Sequence, residues 1–458
     1  MTHVAIIGGG PGGYEAALVA ARQGAEVTIV ERDGWGGSTV LTDCVPSKTL
    51  IATSDVLTEV AESAELGVEL PSGVHADLAR VNARVLALAQ AQSSDVGERL
   101  SANGVRILRG TGRLVEGTTV EATSADGTVE QIAADAVLVA TGAHPRVVDS
   151  ARPDGERVLT WEQVYGLREI PEHMIVVGSG VTGAEFASAY KGLGARVTLV
   201  SSRDRVLPGE DADAADTIED VFLRRGMEVL GNSRMESVER VGDTVRVTLA
   251  DGRTVEGSHC LLALGSIPNT ADLGLEENGV RLDDGGFIQV DRVSRTSAPG
   301  VYAAGDCTGV FMLASVAAQQ GRIAMAHILG LAVHPLDLEL VSSNIFTSPE
   351  IATVGLSQKA IDEQGLPADV AMLPLAANAR AKMQGVRDGF VKIFARRGSG
   401  AVVGGVVVGP RASELIHVVS LAVSANLTVH QVAEAFTVYP SLSGTVAEVA
   451  RIDTSDSR

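Results

Sequence analysis

The chain has 458 residues, of which 45% are hydrophobic and only 3% aromatic, with 51 glycines and a formal net charge of −20. This length predicts about three domains of roughly 150 residues each. The chain is acidic and has no lysine- or arginine-rich run, which argues against nucleic acid as a partner. No uncharged apolar stretch approaches about 18 residues, so we expect no membrane span.

The chain contains three cysteines, Cys44, Cys260 and Cys307, at unrelated spacings. This arrangement fits neither a disulfide framework nor a zinc site, so we predict no bound metal. The first predicted strand begins at His3, which leaves no room for a cleaved signal peptide. We therefore expect a cytoplasmic protein, with Cys260 packed inside an apolar strand.

The first motif lies in residues 3–32, which read as strand, glycine turn, helix and strand. Gly8-x-Gly10-x-x-Gly13 follows the first strand and opens the helix, and its glycines permit a tight turn and the close approach of a pyrophosphate. Glu31 ends the second strand, where a carboxylate accepts hydrogen bonds from an adenosine ribose. The segment therefore predicts a dinucleotide site.

The segment that follows carries a helical pattern and then short strands. Residues 77–104 are predicted to form a long helix. Its apolar positions include Leu78, Val81, Val85, Leu86 and Leu88. We expect turns at 110–112 and 126–127 between the strands, and residues 136–142 read as a buried strand that ends in a polar turn.

A second strand–turn–helix–strand unit occupies residues 173–203. It carries Gly178-x-Gly180-x-x-Gly183, followed by Glu185 in the predicted helix. Two such units in one chain predict two nucleotide-binding domains.

The second unit lacks the acidic residue that would end its last strand, where Ser201 and Arg203 follow instead. Without a carboxylate, nothing repels a 2′-phosphate at this position. Arg203 or Arg205 either binds that phosphate or is an ordinary solvated loop residue. The choice between NADPH and NADH as the bound nucleotide therefore remains open.

The rest of the chain completes the predicted architecture. Residues 260–265 close the second unit, residues 300–306 return to the first, and the segments 389–397 and 401–409 read as antiparallel strands. We predict an α/β fold of two Rossmann-like dinucleotide-binding domains and a C-terminal α+β domain. The predicted limits are 1–149 and 266–334 for the two parts of the first domain, 150–265 for the second and 335–458 for the third.

Over essentially its whole length the chain resembles the flavoprotein disulfide reductases. The motifs that carry this resemblance, besides the two glycine fingerprints, are residues 36–48, 140–142, 264–270 (with Ser266 in place of an arginine), 296–306, 346–355 and 409–414. The resemblance implies FAD on the first domain, NAD(P)H on the second, and a homodimer formed through the third.

The resemblance also assigns residues to the cofactors. It places Asp306 on the ribityl hydroxyls of the flavin and Cys307 beside it. It implies further cofactor contacts from Gly37, Ser38, Thr39, Lys48, Gly112, Thr141, Gly142, Gly265 and Ala314. Lys48 is expected near flavin N5, paired with Glu185, where its charge would stabilise the anionic reduced flavin; the alternative is a purely structural ion pair.

Besides Ser266, three residues depart from the family pattern, and these three belong to its disulfide chemistry. Thr39 stands where the first redox cysteine belongs, which leaves Cys44 without a partner thiol. Tyr439 replaces the catalytic histidine and Gly444 its glutamate, and a phenol is a poor base at neutral pH where imidazole is a good one. Cys44 is then either a charge-transfer contact to the flavin or a small packed side chain.

These departures predict an FAD-dependent NAD(P)H oxidoreductase that reduces quinones or similar small acceptors in a ping-pong reaction. The pattern resembles a quinone-reductase branch of the same family. We predict Lys48, Cys44, Glu185 and Tyr439 as the catalytic residues, Tyr439 being contributed by the partner subunit, and we expect His430 to be a surface residue. The alternatives are a pyridine nucleotide transhydrogenase and a redox-sensing flavoprotein with little turnover.

Overall fold

The computed structural model describes residues 1–69 and 73–452. The chain divides into two compact units. Unit 1 consists of Met1–Thr49, Asn82–Arg146 and Gly265–Asp337. Unit 2 consists of Leu50–Val81, Val147–Leu264 and Leu338–Arg458.

The helices are numbered in chain order. They are α1 (Pro11–Arg22), α2 (Gly37–Leu41), α3 (Cys44–Glu62), α4 (Leu78–Ala102), α5 (Val181–Gly192), α6 (Ala212–Arg224), α7 (Ala314–Ile328), α8 (Gln358–Gln364), α9 (Ala379–Met383), α10 (Ala412–Ser424), α11 (Val429–Glu434) and α12 (Gly444–Ala450).

The strands are numbered in the same way. They are β1 (His3–Ile7), β2 (Glu26–Glu31), β3 (Arg106–Glu116), β4 (Thr119–Ser124), β5 (Val129–Ala133), β6 (Ala136–Val139), β7 (Ala143–Pro145), β8 (Val158–Thr160), β9 (His173–Val177), β10 (Arg196–Val200), β11 (Glu228–Leu230), β12 (Met235–Val241), β13 (Thr244–Leu249), β14 (Thr254–Gly257), β15 (His259–Leu262), β16 (Ser266–Pro268), β17 (Val301–Ala303), β18 (Ser342–Ile345), β19 (Glu350–Gly355), β20 (Ala368–Pro374), β21 (Phe390–Arg396) and β22 (Val402–Gly409).

Unit 1 is built on a seven-stranded sheet in the order β17-β6-β1-β2-β3-β4-β5. Strands β17, β6, β1, β2 and β3 are parallel, and β3, β4 and β5 continue as an antiparallel meander. Along β1 successive side chains enter opposite layers, with Val4 and Ile6 in one core and Ala5 and Ile7 in the other. Because both faces are covered, the strand is apolar throughout its buried length.

Helices α1 and α7 lie together on one face of this sheet, and glycines set their separation. A Cβ added to Gly321 would lie 2.1 Å from the carbonyl oxygen of Gly12. The two backbones therefore approach too closely for any side chain at this crossing. This packing fixes α1, whose N-terminus follows the first glycine turn.

One prediction for unit 1 is wrong. Residues 110–112 do not form a turn, because β3 runs through them and pairs with β4. Gly110 is required for a different reason, since a Cβ there would lie 2.2 Å from the carbonyl oxygen of Thr123 on β4. The predicted helix at 77–104 is confirmed as α4, but Leu86 and Leu88 are exposed and the buried face runs through Leu78 and Val85.

Unit 2 contains a parallel sheet in the order β11-β10-β9-β15-β8. The antiparallel β12-β13-β14 sheet shares a hydrophobic core with this parallel sheet. In that core Ile175 and Val177 of β9 pack with Val245 and Val247 of β13. Residues 201–211 connect β10 to α6. The second glycine turn, between β9 and α5, therefore belongs to a βαβ unit like that of the first motif.

The C-terminal part of unit 2 is an antiparallel sheet in the order β18-β19-β22-β21-β20. The predicted antiparallel pairing of 389–397 with 401–409 is confirmed as β21 with β22. Helices α10 and α12 bury Ile416, Val419, Val446 and Val449 in the same core as Val391 of β21. In residues 1–69 and 73–452 no helix combines the length and the apolar character that crossing a bilayer requires.

Asp55 on α3 is a half-buried carboxyl group of unit 2. Burial, and then the negative charges of Glu350 and Glu59, raise the pKa of Asp55 from 3.8 to about 6. Since this pKa lies above that of the unfolded chain, ionised Asp55 destabilises the fold above pH 6 and does so progressively less as the pH falls toward 4.

We therefore expect Asp55→Asn to raise the melting temperature at pH 7.5 by about 2 °C, with the gain shrinking between pH 6 and pH 4. Thermal melts across that pH range measure the difference between variant and wild type. The exposed acid Glu363, whose side chain keeps 66% of its surface, provides the control Glu363→Gln. A gain from Asp55→Asn that is the same at every pH would contradict the assignment.

Candidate active site

The first glycine turn joins β1 to α1, and each of its three glycines occupies a distinct environment. Gly8 has φ of +105°, and a Cβ on it would lie 2.2 Å from the carbonyl oxygen of Ala140. A Cβ on Gly13 would lie 1.9 Å from the carbonyl oxygen of Gly8, whereas Gly10 faces open space. Gly10 is the N-cap of α1 and offers no side chain to its N–H groups. No side chain therefore blocks this N-terminus, which fits the approach of a pyrophosphate.

Glu31 is buried at the end of β2 and is bound to the backbone around the turn. One carboxylate oxygen accepts the N–H of Gly9 at 2.6 Å, and the other accepts the N–H groups of Asp33 at 2.6 Å and Gly34 at 3.1 Å. Glu31 therefore fixes the shape of the glycine turn. Its predicted contact with a ribose stays a prediction.

The segment that departs from the family pattern lies directly against this turn. The N–H of Gly36 donates to the carbonyl oxygen of Gly9 at 2.8 Å, and a Cβ on Gly37 would lie 3.0 Å from Cα of Gly10. Gly37 begins α2, which also carries Ser38 and Thr39. The three residues that the sequence assigns to the cofactor are therefore placed next to the dinucleotide-type turn.

Cys44 and Lys48 occupy the first turns of α3. Residues four apart on a helix lie on the same face, so the thiol and the ammonium group project from one side of α3. Both side chains are half-buried. This arrangement places a thiol and a cation one turn apart, close in sequence to the segment that contacts the glycine turn.

The thiols of this chain do not form a redox pair. All three cysteines lie in the described residues, and none is in a disulfide. Cys260 and Cys307 are fully buried, and burial raises the pKa of Cys307 to about 11 and raises that of Cys260 as well. A buried thiol held protonated is neither a nucleophile nor a redox partner at neutral pH. The predicted core position of Cys260 is confirmed.

Asp306 follows β17 in unit 1 at the start of a single 3₁₀ turn. Burial, and then the negative charge of Asp43, raise the pKa of Asp306 to about 6. Within the described ranges 1–69 and 73–452, no hydrogen bond reaches its carboxylate. A largely buried carboxyl group without a donor is costly, and the hydroxyls of a ribityl chain would supply donors. This residue and the open N-terminus of α1 therefore fit FAD.

Gln320 is a residue of this site that the sequence analysis missed. It lies on α7, is 1% exposed, and its side-chain oxygen accepts the N–H of Gly305 at 2.8 Å. Gly305 immediately precedes Asp306, so Gln320 fixes the turn that presents the carboxylate. No sequence signal identifies it, because its partner is fifteen residues away on a different element.

The remaining cofactor residues predicted in unit 1 occupy four places. Thr141 and Gly142 lie in the turn after β6, where the Thr141 hydroxyl donates to the carbonyl oxygen of Asn269 at 2.7 Å and the Asn269 amide donates back to the carbonyl oxygen of Thr141 at 2.8 Å. Gly112 lies inside β3 against Ile7. Ala314 is the first residue of α7, and Gly265 precedes β16 with φ of +84°. Their contacts with FAD stay predictions.

The second glycine turn, in unit 2, repeats the geometry of the first. Gly178 has φ of +112°, and a Cβ on it would lie 2.2 Å from the carbonyl oxygen of Ala263. A Cβ on Gly183 would lie 1.8 Å from the carbonyl oxygen of Gly178, and Gly180 again faces open space at the N-terminus of α5. The turn therefore offers a second N-terminus to a pyrophosphate.

The loop after β10 distinguishes between the two arginines that the sequence left equivalent. Arg205 forms an ion pair with Asp216 at 3.3 Å, while Arg203 is exposed and has no ion pair among the described residues. Ser201 is fully buried, with its hydroxyl 2.7 Å from that of Ser179 and accepting the N–H of Arg203 at 3.1 Å. Ser201 thus orders the loop, and Arg203 is the cation available to a ligand.

Glu185 is buried on α5 and binds the C-terminal part of unit 2. Its carboxylate accepts the N–H of Phe346 at 2.8 Å, and the hydroxyl of Ser188 accepts the N–H of Ser348 at 3.0 Å. Glu185 therefore anchors residues 346–348 to α5. The predicted pairing of Glu185 with Lys48 stays a prediction.

Tyr439 lies in an exposed apolar segment, residues 436–439. Phe436, Val438 and Tyr439 are 106%, 78% and 82% exposed. Gly444 begins α12. The expectation for His430 is confirmed, since its imidazole is exposed and lies 3.3 Å from Glu434.

Two family models match the chain. The pyridine nucleotide-disulphide oxidoreductase model matches residues 2–321, and its dimerisation-domain model matches residues 341–450. The chain belongs to the pyridine nucleotide-disulphide oxidoreductase family. The predicted α/β fold class and the predicted cofactors, FAD and NAD(P)H, are those of the family and are confirmed. The choice between NADPH and NADH stays open.

Known members of the family match this pyridine nucleotide-disulphide oxidoreductase over nearly its whole length. The NAD(P)H dehydrogenase (quinone) of Mycobacterium tuberculosis is 53% identical over 461 residues, covering 98% of this chain and 94% of the relative. The crystal structure of LpdA from the same organism has a TM-score of 0.94 at 53% identity and covers 98% and 99% of the two chains. The dihydrolipoyl dehydrogenase of Chlamydia pneumoniae is 34% identical, covering 98% and 96%. The predicted oxidoreductase activity is confirmed.

Proposed function

We propose that this chain is an FAD-dependent NAD(P)H dehydrogenase that reduces quinones or similar small acceptors without disulfide chemistry. The observation that carries the proposal is Thr39, because it lies in the segment against the glycine turn where a dithiol reductase needs the first of its two redox cysteines. A hydroxyl cannot take part in thiol–disulfide exchange. The identity to the quinone-type dehydrogenase of Mycobacterium tuberculosis supports the same class of acceptor.

The residues of unit 1 hold and tune the flavin in this proposal. Bound FAD would supply the redox chemistry that links NAD(P)H oxidation to reduction of the acceptor in two separate half-reactions. The α1 N-terminus binds its pyrophosphate and Asp306 its ribityl hydroxyls. Lys48 supplies a fixed positive charge where negative charge accumulates on reduction. Cys44, one turn away, would contact the flavin without itself being oxidised.

The residues of unit 2 bind the nicotinamide nucleotide. The N-terminus of α5 receives the pyrophosphate, with Gly180 leaving room for its approach. Arg203 contacts a 2′-phosphate when NADPH is bound, while Arg205 is held by Asp216. Since no carboxylate ends β10, both nucleotides are accepted.

The active form is proposed to be a homodimer. A dimerisation domain of the family covers residues 341–450, and the exposed segment 436–439 within it would be covered by a second copy. Tyr439 would then line the acceptor site of the partner. A quinone needs no strong protein base, so the loss of the family's histidine is compatible with this reaction. A cytoplasmic location stays a prediction.

Steady-state assays separate the proposal from its two alternatives. Purified protein is mixed with NADPH and, in turn, menadione, lipoamide or a thio-NAD analogue. Rapid menadione-dependent oxidation without lipoamide turnover is the expected result. Preferential reduction of thio-NAD would support a transhydrogenase, and flavin that stays oxidised for minutes under anaerobic NADPH would support a redox sensor.

Restoring one cysteine should not restore disulfide chemistry. We expect Thr39→Cys to have no lipoamide turnover above background, because Tyr439 and Gly444 still replace the acid–base pair that protonates the leaving thiol. Lipoamide-dependent oxidation of NADH measures this, with a dihydrolipoyl dehydrogenase as the positive control. Robust turnover by the single variant would show that the histidine is dispensable.

A further inference from the structure

A buried cation joins the C-terminal sheet of unit 2 to the start of α6. Lys392 on β21 has a side chain only 7% exposed, and its Nζ donates to Asp211 at 2.9 Å and to Asp213 at 2.8 Å. Asp211 is 2% exposed and Asp213 is half-exposed. Burial alone would lower the pKa of Lys392, but the hydrogen bonds to Asp213 and Asp211 outweigh it and raise the pKa above its ordinary value. The lysine is therefore charged in the fold.

Asp211 has a second role, as the N-cap of α6. Its other carboxylate oxygen accepts the N–H of Asp213 at 3.1 Å. The cap and the ion pair use different oxygens of one carboxylate, so Lys392 fixes the residue on which α6 begins. Removing the cation would leave two neighbouring carboxylates, one of them buried, with no compensating charge.

Helix α6 in turn holds the loop that follows β10. Glu219 accepts the N–H of Val206 at 3.0 Å, and Asp216 pairs with Arg205 at 3.3 Å. Leu207, which follows Val206, is buried and has φ of +51°. Its N–H donates at 2.8 Å to the carbonyl oxygen of Ser179, which lies inside the second glycine turn. A left-handed leucine is strained, so this loop depends on its neighbours for its shape.

We propose that Lys392 is a positioning residue for NAD(P)H binding, acting through Asp211 and α6 on the loop that carries Arg203. The inference rests on the proposed assignment of this loop to the nicotinamide nucleotide. It explains why a charged side chain is buried in β21, where an apolar residue would cover the same volume without a desolvation cost. The hydrogen bonds of Lys392 go to Asp211 and Asp213, so its proposed effect on the nucleotide is indirect.

The test measures nucleotide affinity and turnover on the FAD-loaded enzyme. We expect Lys392→Met to weaken NADP⁺ binding, measured by calorimetry, by about tenfold, with the KM for NADPH raised in parallel. The KM for menadione, kcat at saturating NADPH and the FAD content should change less than about twofold. Lys392→Arg keeps the charge and should recover most of the affinity.

Lys359, with 83% of its side chain exposed, provides the matched control Lys359→Met, for which we expect wild-type affinity. If Lys392→Met fails to fold, Lys392→Met/Asp211→Asn removes both buried charges and is measured in its place. A variant with a lowered melting temperature but wild-type NADP⁺ affinity would overturn the proposal and leave Lys392 as a purely structural residue. Because binding is measured directly, an enzyme inactive with menadione would contradict the proposed function without deciding this inference.

Discussion

Replacing Gly183 by alanine should abolish the reduction of the enzyme by NAD(P)H while leaving FAD bound. The added methyl group would lie 1.8 Å from the backbone carbonyl oxygen of Gly178, and a carbonyl within a turn cannot move aside as a side chain can. The turn must therefore open, which displaces the N-terminus of α5. We expect the rate of flavin reduction by NADPH to fall about 100-fold or more, since a displacement of about 1 Å has effects of this size.

Stopped-flow measurement of flavin absorbance under anaerobic conditions tests this prediction. FAD content should be unchanged, because Gly8, Gly10 and Gly13 are intact, and dithionite should still reduce the flavin. Gly166 provides the matched control Gly166→Ala, since a Cβ there meets no atom within 4 Å. Reduction of Gly183→Ala at nearly the wild-type rate would show that the second turn does not bind the nucleotide.

Replacing Lys48 by methionine should slow turnover about 100-fold per bound flavin, the usual cost of removing one preorganised charge from a reaction site. Methionine keeps most of the side-chain length on α3 and removes the ammonium group, with its positive charge and its N–H donors. Because Lys48 is expected to act on the flavin, the KM for NADPH should change little. Single-turnover reduction and steady-state menadione assays, both normalised to FAD content, measure the loss.

Two further variants establish whether charge is the cause. Lys48→Arg should retain turnover within about tenfold of wild type, because the guanidinium keeps the charge but not its position. Lys359→Met removes a charge from an exposed site and should have no effect. If Lys48→Met kept wild-type turnover with full FAD, the lysine would be no more than a structural cation.

The glycine turns were predictable from sequence because their geometry is local. Gly8 and Gly13 lie within one turn, so the contact that excludes a Cβ is encoded by their spacing. The same holds for Gly178 and Gly183. The long helix was predictable from its periodicity, but its buried face was not, because Leu86 and Leu88 are apolar and yet exposed.

Contacts between distant residues could not be predicted in this way. Lys392 and Asp211 are 181 positions apart, and nothing in either neighbourhood signals a buried ion pair. Gly110 was assigned to a turn because glycine marks turns and close backbone approaches equally well, and only the pairing with β4 decides between them. The same ambiguity left Arg203 and Arg205 equivalent until the ion pair with Asp216 separated them.

Single-turnover reoxidation tests most directly whether electrons pass from the cofactor to the acceptor without a protein disulfide. Wild-type enzyme is reduced anaerobically with one equivalent of NADPH and then mixed with either menadione or lipoamide. We predict that menadione restores the absorbance of oxidised flavin rapidly and that lipoamide does not restore it on the timescale of turnover. Reoxidation by lipoamide at a rate comparable to that with menadione would contradict the account.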